Sequence, residues 1–257
     1  MPVQLLDIIP IWLIFPLTVL VSFLAAEVGF LLGNWWQKRT NDNTDPTLGP
    51  LVAGSLGLLA FLLAFVTGLA ADRVGARRVL VITDANAIGT TELRARYLPE
   101  PYRTESRDLL REYVSIRIPS SVAVDVEQIN KRSSEIHAEL WAHVEEMVGA
   151  KLDSEAIALY IDALNTMIDV HTERLAAVTA RVPPPLLLGL YFMAIIALGL
   201  VGFSNSYEHR LSTIGLLFLI VMFSAALYLI VDMDRAREGL IVVSQQPMLD
   251  VQAQMAP

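Results

Sequence analysis

The sequence of 257 residues contains no cysteine, which excludes disulfides, thiolate metal sites and cysteine nucleophiles. It also has no GxSxG nucleophile elbow and no Walker-type phosphate-binding loop. The four histidines form no HExxH pair or other compact metal-binding spacing; His137 and His143, for example, are six residues apart. The sequence therefore predicts no enzyme activity, no bound metal and no cofactor.

Charged residues are also scarce. They make up only 18% of the chain, whereas apolar residues make up 54% and the mean hydropathy is +0.50. This balance is too apolar for an average soluble domain. The formal net charge of −8 argues against general nucleic-acid binding. The composition indicates a membrane protein without a nucleic-acid partner.

Four long apolar runs account for this composition, and each reaches or approaches the ~20 residues that a transmembrane helix requires. The first run does not look like a cleaved signal peptide, because Asp7 precedes it and no lysine or arginine does. No segment shows the sustained alternation of a β-strand. We therefore predict an all-α integral membrane protein with four transmembrane helices at about 8–36, 51–72, 185–203 and 211–231.

The polar stretch between the second and third runs has apolar residues at helical spacing. Proline and glycine turn signals divide it into further helices, the last of them capped by Asp153 or Ser154. This stretch is predicted to fold as a helical bundle. The predicted division of the chain is a transmembrane hairpin at 1–72, the bundle at 73–182, a second transmembrane hairpin at 183–232 and a C-terminal tail at 233–257.

Arginines near the ends of the apolar runs predict the orientation. They are more frequent at the ends that adjoin the bundle, so the positive-inside rule places the bundle and both termini in the cytoplasm. Arg73, Arg77 and Arg78 follow the second run directly. These three side chains would make the inner end of that helix electropositive.

The second run has features of a pore-lining helix. No proline falls from Leu51 to Leu98, so a single helix of roughly 70 Å can cross the membrane and continue beyond it. Phe61 and Phe65 are one turn apart and lie near Gly57 and Leu58. In a ring of subunits these residues would form a hydrophobic constriction. Packing against lipid or protein is the simpler alternative.

The first run contains a carboxylate, Glu27, at a depth where a charged group is costly. It can serve to handle ions or protons, or it can be a protonated or hydrogen-bonded packing residue. Close to it, Gly29 and Gly33 have the spacing that allows two helices to approach closely, although such spacing also arises by chance.

The segment from Arg78 to Pro99, RVLVITDANAIGTTELRARYLP, resembles the signature of the bacterial bestrophin-like domain family. The residues that carry the resemblance are Asp84, where glutamate is usual, and Asn86 and Gly89. The glutamate and glycine of the first run and the LLAF stretch of the second are also similar to that family.

The segment at 232–248, DMDRAREGLIVVSQQPM, is similar to the family's closing D-x-D-R-P-x-x-G-x-I-x-V pattern. Asp232 and Asp234 match its two acidic positions, and Ala236 stands where proline is usual. The resemblance therefore covers nearly the whole chain.

Bestrophins are pentameric anion channels whose second helices line a phenylalanine-rich neck, and the resemblance implies these properties here. It implies a homo-oligomer, a pentamer by analogy, in a bacterial inner membrane, with the bilayer and inorganic anions as partners. In bestrophins an acidic cluster near the fourth helix binds calcium. Asp232 and Asp234 loosely match this cluster, but the neighbouring Arg235 and Arg237 argue against a metal site.

Two functions are consistent with the sequence, and a third is weaker. The first is an oligomeric anion channel lined by the second helix. The alternative is a non-conducting membrane scaffold whose bundle binds a partner protein or lipid through the acidic face of residues 125–173. The third is a proton- or cation-coupled transporter that uses Glu27, although the chain lacks the inverted repeat of many such proteins.

Overall fold

A computed structural model describes residues 9–40, 47–118, 126–152, 154–207, 213–236 and 238–256. Within these ranges the regular structure is entirely α-helical, which confirms the predicted fold class. The helices are α1 (Ile11–Thr40), α2 (Leu48–Ala95), α3 (Tyr102–Arg117), α4 (Val126–Gly149), α5 (Glu155–Thr179), α6 (Pro184–Tyr207), α7 (Thr213–Asp234) and α8 (Gln246–Gln254).

Four stretches of the described chain are long and apolar enough to cross a membrane: Ile11–Thr40, Leu48–Ala95, Glu155–Tyr207 and Ile214–Asp234. The third contains both α5 and α6, and only α6 lacks charged residues. The four predicted transmembrane helices therefore correspond to α1, the first part of α2, α6 and α7. Helix α6 begins at Pro184, as expected for a residue that is tolerated in the first turn of a helix.

Helix α2 is continuous over 48 residues, which confirms the prediction of one helix from an apolar run into a polar segment. Gly75 and Gly89 lie within the helix and do not interrupt it. The contacts of the chain divide it into two units, and the boundary falls within α2. We call residues 1–74 and 180–242 the apolar unit, and residues 75–179 and 243–257 the bundle unit.

In the apolar unit, α1 and α6 pack backbone to backbone. A methyl group on Gly29 would lie 1.9 Å from the carbonyl oxygen of Gly199, and one on Gly202 would lie 1.9 Å from the oxygen of Ala26. Only glycine allows this approach, so the Gly29–Gly33 spacing of the sequence marks a real helix contact. A hydrophobic core in the same unit joins α2, α6 and α7 around Leu59, Leu190 and Ile230.

The bundle unit has a core of large side chains. Tyr113, Tyr160, Leu164 and Met167 are completely or almost completely buried in it. The predicted cap of α5 is confirmed at Ser154, whose hydroxyl accepts a hydrogen bond of 3.2 Å from the Ile157 N–H. Asp153, the alternative cap, lies outside the described residues.

Helix α8 was not predicted from the sequence, which indicated only a C-terminal tail at 233–257. Met248 and Val251 of this helix, and Met255 directly after it, pack into the bundle core, and Pro247 lies in the first turn of the helix. The side chain of Arg111 donates a hydrogen bond of 2.9 Å to the carbonyl oxygen of Met255. The C-terminal segment is therefore an integral part of the bundle unit.

Candidate functional site: the uncovered face of α2 and the buried polar cluster

Helix α2 has one covered face and one uncovered face in the apolar unit. Leu59, Leu63, Val66 and Ala70 are buried against the rest of this unit. The opposite face is exposed along its length, and its two largest side chains are those predicted to form a constriction. Phe61 is 67% exposed and Phe65 is 54% exposed. Gly54, Gly57, Leu58, Gly68 and Asp72 are also exposed on this side of the helix.

The glycines of α2 differ from those of α1 and α6. A methyl group built on Gly54, Gly57 or Gly68 meets no described atom within 4 Å. The small residues of α2 therefore make no close helix contact with the described residues of the chain. The surface on which they lie is available to something other than the chain's own described residues.

The three predicted basic residues have different environments. Arg78 is exposed and Arg73 is half-buried, and neither forms a hydrogen bond or ion pair with a described residue. Arg77 is buried, and its Nε donates a hydrogen bond of 3.3 Å to the carbonyl oxygen of Ala177 in α5. Asp72 lies seven residues, about two turns, after Phe65 and so shares its side of the helix.

Asp84, a residue of the signature, is fully buried at the centre of the bundle unit. One of its carboxylate oxygens, Oδ2, accepts hydrogen bonds from Arg117 and, at 2.7 Å, from Arg174. Arg174 also donates to the side-chain oxygen of Gln245 at 2.7 Å. The carboxylate thus connects α2 to α3 and α5.

Two histidines lie beside this ion pair. His171 accepts hydrogen bonds at Nδ1 from Arg117 and from the Tyr113 hydroxyl, the latter at 3.2 Å. The rings of His137 and His171 are 5.0 Å apart and nearly perpendicular. We call Asp84, Tyr113, Arg117, His137, His171 and Arg174 the polar cluster.

Burial and the charge of Arg117 lower the pKa of both His137 and His171 to about 4. Burial also raises the pKa of the Tyr113 hydroxyl. Both imidazoles are therefore neutral at pH 7, and the cluster holds two arginine charges against one carboxylate. Several of its polar atoms have no hydrogen-bond partner among the described residues: Asp84 Oδ1, Arg117 Nε, His137 Nε2 and His171 Nε2.

The remaining signature residues, Asn86 and Gly89, face α8 rather than the core. Both line a groove of about 420 Å³ between α2 and α8, together with Thr90, Arg96 and Asp250 among others. A methyl group on Gly89 would be 3.9 Å from the Val251 side chain. This is an ordinary van der Waals distance, so the packing of α8 against α2 does not require glycine at this position. The exposed amide of Asn86 has no partner among the described residues.

The acidic residues that close the family pattern organise the end of α7. Asp232 accepts hydrogen bonds from the backbone N–H groups of Leu240 and Ile241, at 2.7 and 2.9 Å. A methyl group on Gly239, whose φ is +114°, would lie 2.1 Å from the Asp232 carboxylate. Asp234 accepts a hydrogen bond of 2.6 Å from the Val182 N–H near the start of α6. These carboxylates shape the backbone around α7.

Arg235, the arginine that follows Asp234 in the closing segment, contacts the N-terminal segment. Arg235 donates a hydrogen bond of 2.6 Å to the carbonyl oxygen of Ile9 and forms an ion pair with Glu238 at 3.0 Å. Arg237 lies outside the described residues. Within the described part of the chain, no group of three or more histidines and acidic residues is placed to hold a metal ion.

Glu27 is half-buried on α1 and forms no hydrogen bond or ion pair with a described residue. The structure therefore brings Glu27 together with no other candidate site residue. Of the residues of the polar cluster, only Asp84 was predicted as a site residue from the sequence. The two central histidines of the cluster are 34 positions apart in the chain, and no local spacing indicates their contact.

Comparison with known proteins supports the resemblance seen in the sequence. No curated protein matches the chain at a significant level. Several solved structures share its fold. A bacterial bestrophin homologue from Klebsiella pneumoniae has a TM-score of 0.65 at 16% identity, covering 95% of this chain and 99% of the homologue. A singly substituted form of a Klebsiella homologue gives a TM-score of 0.67 at 16% identity, covering 95% of this chain and 97% of that one.

A third structure, described only as a membrane protein, has a TM-score of 0.66 at 18% identity and covers 95% of this chain and 99% of its own. At these identities the structures show a shared fold. The sequence profile of the Bestrophin-like domain matches residues 19–248, which include the signature segment of α2 and the whole closing segment at 232–248. The chain belongs to the bestrophin-like domain family.

Proposed function

We propose that the protein is an oligomeric ion channel in which the uncovered face of α2 lines the pore. The observation that carries the proposal is the exposure of Phe61 and Phe65 on a helix whose other face is buried. Identical chains arranged around an axis would bring these phenylalanines together. Such a ring of apolar side chains gates a pore by excluding water.

The small residues on the same face support this arrangement. A methyl group on Gly54, Gly57 or Gly68 meets no described atom within 4 Å, so no described part of the chain covers this face. We therefore propose a homo-oligomer, and by analogy with bestrophins a pentamer. Leu58 would add to the apolar lining between the glycines and the phenylalanines.

The proposed conducted ions are inorganic anions, as the resemblance to bestrophins implies. Arg73 and Arg78 have no described partner and would attract anions to one end of the pore. Arg77 is buried and would act only at a distance. Asp72 lies on the side of α2 that bears the phenylalanines and would oppose anion entry, so the sign of the conducted charge is the main point to test.

We further propose that the bundle unit and both termini lie on the cytoplasmic side of a bacterial inner membrane. The support is the excess of arginine at the ends of the apolar runs that adjoin the bundle. The domain division at about residues 72, 182 and 232 is part of this proposal. Cysteine labelling is unambiguous here, because the chain has no native cysteine. A cysteine at Asp169 should react only with membrane-permeant reagents in intact cells.

The first test is ion flux through purified protein in liposomes. Phe61→Ala and Phe65→Ala should each increase chloride flux, because they widen and wet the constriction. Phe192→Ala is the matched control, since Phe192 is 62% exposed but lies on α6. The reversal potential in a chloride gradient gives the sign of the conducted charge. Absence of flux from all four proteins, with normal folding, would contradict the proposal.

The second test is the mass of the protein in lipid nanodiscs. A stable complex of several copies is expected, with five as the value implied by the resemblance. The alternative function, a non-conducting scaffold, is favoured by the groove beside Asn86 and Gly89, which a partner can occupy. It predicts no flux and a monomer or dimer.

A further inference from the structure

We propose that His171 is an acid-sensitive switch at the centre of the bundle unit. Its ring must remain neutral for Arg117 to bridge His171 and Asp84, and a second proton on the ring opens the contact between α3 and α5. This proposal concerns the packing of the bundle unit and does not depend on whether the protein conducts ions.

The hydrogen bonds of His171 fix which nitrogen carries its proton. A guanidinium group can only donate, so Nδ1, which contacts Arg117, must be an acceptor. The neutral ring therefore carries its proton on Nε2. Any further proton would have to go to Nδ1, where it would point at the Arg117 donor. Protonation and the Arg117 contact are therefore mutually exclusive.

The charges around the ring act in the same direction. The titratable or charged groups that face His171 are Asp84 from α2, Tyr113 and Arg117 from α3, and His137 from α4. Arg174, on its own helix, contributes the second guanidinium. Because two arginines already oppose one carboxylate, an imidazolium would be a third cation in a buried site. Such a site excludes the charge or opens to water.

The pH range in which the switch acts follows from the two states of the ring. In an opened bundle the pKa would be near the ordinary ~6.5. In the closed bundle, burial and Arg117 lower the pKa of His171 to about 4. Since the closed state binds the proton more weakly, its full stability is present above pH ~6.5 and is lost as the pH falls toward 4. Between pH 7 and pH 5 the closed-to-open ratio should fall roughly 20-fold for each such histidine.

The experiment is amide hydrogen exchange of the full chain in nanodiscs at pH 7 and pH 5, after correction for the intrinsic pH dependence of exchange. In the native chain, protection of α3 and α5 should fall roughly 20-fold or more on acidification. His171→Asn keeps an acceptor near the Nδ1 position and cannot take a proton. In this variant, the fall in protection of α3 and α5 between pH 7 and pH 5 should be smaller than in the native chain by most of the roughly 20-fold due to His171.

His143→Asn is the matched control. The Nδ1 of His143 also forms a hydrogen bond, with the Ser106 hydroxyl at 3.0 Å, but His143 lies outside the polar cluster. This variant should respond to pH as the native chain does. An equal response in native and His171→Asn protein, or no response in the native chain, would overturn the proposal.

A measurement on the native chain decides the question if His171→Asn does not fold. Nitrogen NMR of ¹⁵N-labelled histidine distinguishes protonated from unprotonated Nδ1. The native chain should keep Nδ1 of His171 unprotonated down to about pH 5. A titration midpoint of His171 at or above ~6.5 would show that the Arg117 donor does not hinder protonation of Nδ1, and would overturn the proposal.

Discussion

In the apolar unit, α1 and α6 meet through their backbones, whereas in the bundle unit the helices meet through large side chains and a buried ion pair. Gly29 and Gly202 have carbonyl oxygens of the opposite helix where a side chain would be. Tyr113 and Leu164 instead fill a core that surrounds Asp84. This difference in helix packing is the one expected between a unit surrounded by lipid and a unit surrounded by water. Lipid gives helices no hydrophobic reason to associate, so close contact matters most, while water rewards the burial of apolar side chains.

The two units therefore should not respond equally to the same kind of substitution. Charge removal should have its greatest effect in the bundle core, and methyl addition should have its greatest effect between α1 and α6. The three substitutions below test this contrast, in order of decreasing expected effect on the free energy of unfolding.

Asp84→Ala should be the most destabilising of the three. It leaves Arg117 and Arg174 buried without their carboxylate, and breaking such a buried pair costs about 3–5 kcal/mol. The midpoint of thermal unfolding in detergent should fall by roughly 10 °C. Asp169→Ala, an exposed acidic residue on α5, is the control and should leave the midpoint unchanged. Equal midpoints for the two variants would show that the polar cluster does not stabilise the bundle unit.

Gly202→Ala should have an intermediate effect. The added methyl group would lie 1.9 Å from the Ala26 carbonyl oxygen, so the backbones of α1 and α6 must move apart. Overpacking of this kind costs about 1–3 kcal/mol. Gly54→Ala places the same methyl group where no described atom lies within 4 Å. If size-exclusion profiles and thermal midpoints did not separate these variants, the close packing of α1 and α6 would not be essential.

Asp162→Ala should have the smallest effect. Asp162 forms an ion pair of 3.0 Å with Arg94, but its side chain is 73% exposed. Exposed pairs contribute about 0.2–1 kcal/mol and weaken with salt. The expected change in the thermal midpoint is at most a few degrees, and it should disappear in high salt. A loss as large as that of Asp84→Ala would mean that burial does not distinguish the two carboxylates.

Much of the fold could be predicted because it follows from local properties of the chain. Apolar runs of sufficient length predicted α1, α6 and α7, and the absence of proline predicted the continuous α2. Helix α8 was missed because this short segment places only three buried side chains in the core. These are Met248, Val251 and Met255, and they are spaced three and four positions apart after Pro247. That spacing was a usable signal, although a short one.

The candidate site was only partly predictable for the opposite reason. The sequence predicted that Phe61 and Phe65 share one face of a helix, but it did not predict that this face is exposed in the structure. Arg77 could not be distinguished from Arg73 and Arg78 by composition, because only the position of α5 decides that it is buried. Likewise, the contacts of Asp84 with Arg117 and Arg174 join residues 33 and 90 positions apart. No local pattern contains such pairs.

The place of α8 in the bundle core has a consequence for the order in which the protein is made. Most of the bundle unit, residues 75–179, leaves the ribosome before α6 and α7 do. Its core nevertheless includes Met248, Val251 and Met255, and the carbonyl oxygen of Met255 is the hydrogen-bond acceptor of Arg111. Folding of the bundle unit can therefore begin early in synthesis but can be completed only late. The apolar helices α6 and α7 are synthesised before the last three core side chains of the bundle unit.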